Sequence, residues 1–204
     1  MTDPASRSFA PIGGCFVLVG CGYAALRSSA APKISLIPTS PDCSLSHQGM
    51  KLEQQLRVAE GYAELGMYEE ALAELDRLSG EVEDFPAILR MRVAIVLQLR
   101  DWATALSLSR RLCELLPNES YGFIHAAFCL HELGRTPEAK EMLLNGPACL
   151  LDEPVYYYNL GCYETVLGNF EQAKAYLRAS FRLNKAFRDI AKTDADLIAL
   201  RDSL

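Results

Sequence analysis

The chain has 204 residues, half of them apolar and 23% charged, with a formal net charge of −6 and a pI near 5.2. A chain of this size and composition builds one core or one array of small stacked units. Its acidic balance excludes unaided nucleic-acid binding, which needs clustered Lys and Arg to neutralise phosphates.

The first 49 residues differ from the rest: their only charges are Asp3, Arg7, Arg27, Lys33 and Asp42. The apolar run IGGCFVLVGCGYAAL at 12–26 holds four glycines and is short for a membrane-spanning helix. LVGC at 18–21 resembles the lipobox of bacterial lipoproteins, which implies lipidation at Cys21 and a membrane-anchored, periplasmic protein. Residues 28–49 are rich in Ser and Pro and read as an unstructured leader. MKLEQQL at 50–56 opens a helix directly, so Met50 is also a candidate initiator. On composition, a boundary falls near Met50, with residues 1–49 a disordered leader or a signal segment.

Beyond Met50 the sequence repeats. Steps of 34 residues from Leu65 reach Leu99, Leu133 and Leu167, and the same steps from Ala71 reach Ala105, Ala139 and Ala173. A third column holds Gly66, Arg100, Gly134 and Gly168; a fourth Tyr68, Trp102, Thr136 and Phe170; a fifth Ala59, Val93, Ala127 and Gly161. Each unit contains two apolar-periodic segments of helical length, at 50–65 and 68–79 in the first and at 154–167 and 170–183 in the last. The glycines stand where a first helix ends and a left-handed residue costs least. Pro86 and Pro154 stand where a helix begins and a missing N–H costs nothing. The small residues of the fifth column are expected to face Ala71, Ala139 and Ala173 and let paired helices approach closely. NGP at 145–147 should stop a second helix early, leaving a short turn or loop at 148–153. The tail 188–204 is too short for another unit; it should form a cap, with Asp194 an N-cap and Leu197 and Leu200 on one face.

These columns resemble the tetratricopeptide repeat, whose motif has a small residue at position 8, Gly at 15, an aromatic at 17, Ala at 20 and Pro at 32. The units would be 52–85, 86–119, 120–153 and 154–187, about three-quarters of the chain. The last fits well, through Tyr157, Leu160, Gly161, Gly168, Phe170 and Ala173. The second keeps Trp102, Ala105 and Pro117 but has Arg100 in place of Gly, and the third has Thr136 at the aromatic position. The resemblance implies an all-α fold: a right-handed superhelical array of four helix–turn–helix repeats with a short C-terminal capping helix. Asp194, Asp196, Leu197, Leu200 and Arg201 also look like endings found after other such arrays.

No catalytic pattern appears: there is no G-x-S-x-G, phosphate-binding loop or dinucleotide-binding glycine run. The seven cysteines contain no C-x-x-C pair. His125 and Cys129 share one helical face, with Cys162 on a neighbouring helix. Three soft ligands fall short of a closed zinc site, so packing is the expected role, and neither metal nor cofactor is expected.

In the repeat family the first helices line a concave groove. Carried over, the groove residues would be Arg90, Tyr121, Ile124, His125, Phe128, His131, Tyr158 and Asn159, beside an acidic first unit presenting Glu53, Arg57, Glu60 and Glu64. The basic clamp that grips chaperone tails is missing, since its positions hold Leu56 and Glu60. The expected function is a non-enzymatic scaffold, cytoplasmic, binding a protein or peptide segment in that groove. The alternatives are a lipid-anchored envelope-assembly protein, tied to the membrane only through Cys21, and a small chaperone for a secreted client.

Overall fold

The computed structural model of the chain describes residues 43–78 and 84–203. Cys21 and the apolar run at 12–26 lie outside them. The described residues form helices α1 (Cys43–Glu64), α2 (Tyr68–Asp76), α3 (Pro86–Gln98), α4 (Trp102–Leu115), α5 (Ser120–Glu132), α6 (Thr136–Leu144), α7 (Pro154–Val166), α8 (Phe170–Leu183) and α9 (Phe187–Ala191). Two 3₁₀ segments, Ala148–Asp152 and Ile198–Ser203, complete them, and no strand occurs among the described residues. None of these helices is long and apolar enough to cross a membrane.

Helices pair as hairpins: α1 with α2, α3 with α4, α5 with α6 and α7 with α8. Each second helix then packs on the next first helix, so the hairpins nest in series as a right-handed superhelix. The repeated small residues mark the tight contacts. Ala59, Ala71, Val93, Ala105, Ala127, Ala139 and Ala173 are all fully buried. A Cβ built on Gly161 would lie 2.6 Å from Leu177 Cγ and 3.4 Å from the Ala173 carbonyl oxygen, so α7 and α8 sit close enough that a larger residue would press on the Leu177 side chain. Gly122, which the repeat does not flag, approaches backbone more closely. Its Cβ would stand 2.9 Å from the Cys113 backbone nitrogen and 3.0 Å from the Ser109 carbonyl oxygen.

Local chemistry sets the helix ends. Pro86 and Pro154 each occupy the first turn of their helix. Gly66, Gly134 and Gly168 take φ of +76°, +76° and +83°, and Arg100 takes the same left-handed turn at φ +57°. Asp101 caps α4 by accepting the Thr104 N–H at 3.1 Å. The NGP break holds: α6 stops at Leu144 and a 3₁₀ turn follows.

Two features depart from expectation. Helix α1 begins at Cys43, ahead of Met50. The cap is not one N-capped helix but α9 followed by a turn and a 3₁₀ segment. Asp194 does not cap it: one carboxylate oxygen accepts the Asp196 N–H at 3.0 Å, closing a local turn, and the side chain points inward. Leu197 and Leu200, expected on one face of a last helix, are both buried and join the main core that runs from Leu89 to the tail.

Candidate functional site

The expected groove residues divide into two groups. Arg90 from α3 and Tyr121, Ile124 and His125 from α5 remain partly exposed. Successive first helices bring them together. The Arg90 guanidinium lies 5.2 Å from the Tyr121 ring centre, and the Tyr121 hydroxyl donates to the Arg90 carbonyl at 3.2 Å. His125, one turn along α5, stacks on Tyr121 with centroids 4.1 Å apart, and its Nδ1 lies 2.8 Å from the Tyr121 carbonyl oxygen. Glu119, just ahead of α5, accepts from Arg90. The Arg90 Nε is buried without a hydrogen-bond partner. The result is a fixed cation–aromatic–imidazole platform with a guanidinium at one end. Burial lowers the pKa of His125, against the hydrogen bond that its Nδ1 donates to the Tyr121 carbonyl, and nearby Arg90 lowers it further. Burial also raises the Tyr121 phenol, so both rings are neutral near pH 7.

The second group is enclosed. Phe128 is 6% exposed and packs edge-on against Trp102 at 5.6 Å. Tyr158 is 0% exposed and Asn159 2%. These three were expected to floor an open groove; instead core packing and the tail cover them. The Asn159 amide nitrogen is buried with no hydrogen-bond partner. His131 is nearly enclosed too. It stacks on Tyr163 at 4.8 Å, its Nδ1 pairs with the Thr136 hydroxyl at 3.0 Å and its Nε2 with Asp196 at 3.0 Å. Thr136, at the position that is aromatic in the other units, meets His131 instead.

The tail closes this second group. The Tyr158 hydroxyl donates to Asp194 at 2.7 Å, and the Cys162 thiol donates to the same oxygen at 3.8 Å. Asp194 is 1% exposed, and burial raises its pKa against the lowering effect of the Tyr158 hydrogen bond. Burial likewise raises Glu132, on α5 beside His131.

Cys162, Asp194 and Asp196 each place one potential ligand atom within 4.8 Å of the others. Their polar atoms are engaged with Tyr158, His131 and one another, so the group is a hydrogen-bonded clasp. His125 and Cys129, the other two soft ligands noted in the sequence, are not part of it. Burial pushes the Cys129 thiol up to about 12 and the Cys113 thiol to about 11, which suppresses the thiolate either would need for reactivity. Sequence reasoning missed Asp194 and Asp196 as partners of the first helices. The D-x-D spacing was visible, but not the long-range contact with His131 and Tyr158.

Residues 154–187 match the tetratricopeptide repeat family. No curated protein matches the chain. Among solved structures, MamA 41-end from Desulfovibrio magneticus RS-1 is 17% identical, with a TM-score of 0.61 over 74% of this chain and 85% of that one. An RS-1 MamA double mutant is 14% identical with a TM-score of 0.59, over 66% of this chain and 76% of that one. MamA MSR-1 is 16% identical with a TM-score of 0.56, over 65% of this chain and 76% of that one. At these identities the likeness is one of fold.

Proposed function

Starting from a tetratricopeptide-repeat protein, its last full unit matched by the family and its helices stacked in the same manner, we propose a non-enzymatic scaffold. It binds a protein segment on the concave side formed by the first helices. The fold family works through protein partners in general. The finer reading rests on one observation: the Arg90–Tyr121–His125 platform, held rigid by its own contacts while still partly exposed. A pre-organised aromatic beside an arginine is the composition that dominates binding energy at protein interfaces, because little side-chain freedom is lost on contact.

The test is quantitative crosslinking and affinity capture from the native cell with Arg90→Ala/Tyr121→Ala, against Lys174→Ala on α8 as a control. Loss of the same partners only in the double variant supports the reading. An unchanged partner set with a folded double variant removes it.

A further inference from the structure

We propose that the face built by His131, Tyr158 and Cys162 is a receptor for an acidic Asp-x-Asp-apolar segment, and that residues 194–197 of the chain are the copy seated in it. This deepens the groove reading and rests on it. Three observations converge. His131 lies on α5 and Tyr158 and Cys162 on α7, so the tail crosses two successive first helices, as a ligand of the concave side would. The recognition is polar and directed. Tyr158 and Cys162 donate to Asp194, and the Asp196 carboxylate meets His131 Nε2 at 3.0 Å. The Asp194–Asp196 turn holds the two carboxylates in fixed relation, and Leu197 then enters the core at 0% exposure.

The donors are a hydroxyl, a thiol and an imidazole, with no Lys or Arg side chain bonded to either carboxylate among the described residues. The face therefore reads short side-chain geometry more than net charge, and a Glu, one methylene longer, does not fit the same turn. Lys192 and Thr193, which lead into the seated segment, are exposed, so the segment is tethered at a surface bend. A tethered copy faces its receptor at an effective concentration on the order of mM, which hides the site from a free ligand.

The experiment uses a fluorescein-labelled peptide of residues 192–203 and the full chain, wild type and Asp194→Ala/Asp196→Ala. The double variant should bind the peptide at least about tenfold more tightly than wild type, because its own tail competes less. A peptide with both aspartates changed to glutamate should bind neither protein. Adding His131→Ala to the double variant should abolish binding. A double variant that keeps its helical circular dichroism yet binds no better than wild type overturns the proposal. If the double variant melts early, its Tm must rise with added peptide, and an unchanged Tm overturns the proposal equally. Partner capture through Arg90 and Tyr121 is read on the same proteins. Capture kept with peptide binding absent removes this inference alone, whereas capture insensitive to Arg90 and Tyr121 removes the reading of function beneath it.

Discussion

The Tyr158 hydroxyl donates to the Asp194 carboxylate at 2.7 Å, joining α7 to a residue 36 positions later in the chain. Both side chains are buried, so the bond forms where solvent cannot replace it. Tyr158→Phe removes the donor and little volume. A buried hydrogen bond contributes about 0.5–3 kcal/mol, the upper part when its acceptor is ionised, and the loss here should fall in that range. Hydrogen exchange should locate it: amides of 187–203 open faster while those of α3 to α6 change little. Uniform acceleration along the array would show that the tail and the repeats open as one unit.

Gly122 and Gly161 predict different costs for the same change. At Gly161 the new Cβ meets the Leu177 side chain, which can rotate away in part. The overpacking cost of about 1–3 kcal/mol is then offset by the roughly 1 kcal/mol that Ala gains over Gly in a helix. At Gly122 the obstacle includes the α4 backbone at Ser109 and Cys113, which cannot yield without moving the helix. Gly122→Ala should therefore lower Tm more than Gly161→Ala. The reverse order would mean that α4 and α5 separate easily.

Arg100 occupies a left-handed turn that three other units give to glycine. A side chain there costs roughly 1–2 kcal/mol, and the extra freedom glycine brings to the unfolded chain returns part of it. Arg100→Gly should raise stability by about 0.5–1 kcal/mol. Denaturant midpoints read this directly, and a fall would show that the Arg100 side chain stabilises the fold by more than its turn costs.

His125 carries a pKa lowered by burial, so the unfolded chain takes up its proton first. The stability it contributes is full above the unfolded value of about 6.5 and is lost as pH falls below that toward the folded value. Asp194 and Glu132, raised by burial, act the other way: their stability is present at low pH and lost as pH rises through their folded values. The wild type alone sums these trends. The difference between wild type and His125→Gln isolates one of them. It should be level above about pH 7 and shift against wild type below about pH 6.5. A difference that stays level down to pH 5 would show that His125 titrates normally.

The array was legible because each repeated column answers a local demand. Glycine at a left-handed turn, proline at a helix start and alanine at a close helix contact are needs that sequence spacing exposes. The exceptions follow the same logic. Thr136, in place of an aromatic, hydrogen-bonds His131, and Arg100 adopts a turn that glycine would take without strain. The site was less legible. Family positions named Arg90, Tyr121, Ile124 and His125, which the helical register leaves partly exposed. They also supplied Tyr158, Asn159 and Phe128, which the same register aims inward but other elements then cover. What covers Tyr158 is the tail, and its turn arises from one Asp side chain meeting a backbone N–H two residues on, a contact with no repeating signature. Gly122 was hidden for a similar reason: it is demanded by one pair of helices and not by every pair.

The central claim is that the concave side of the first helices receives a protein segment. Hydrogen–deuterium exchange on the chain with its captured partner tests it most directly. The account predicts protection on α3 and α5, around Arg90, Tyr121 and His125, with α4, α6 and α8 unchanged. Protection confined to α4, α6 and α8, with α3 and α5 exchanging as in the free chain, would contradict it.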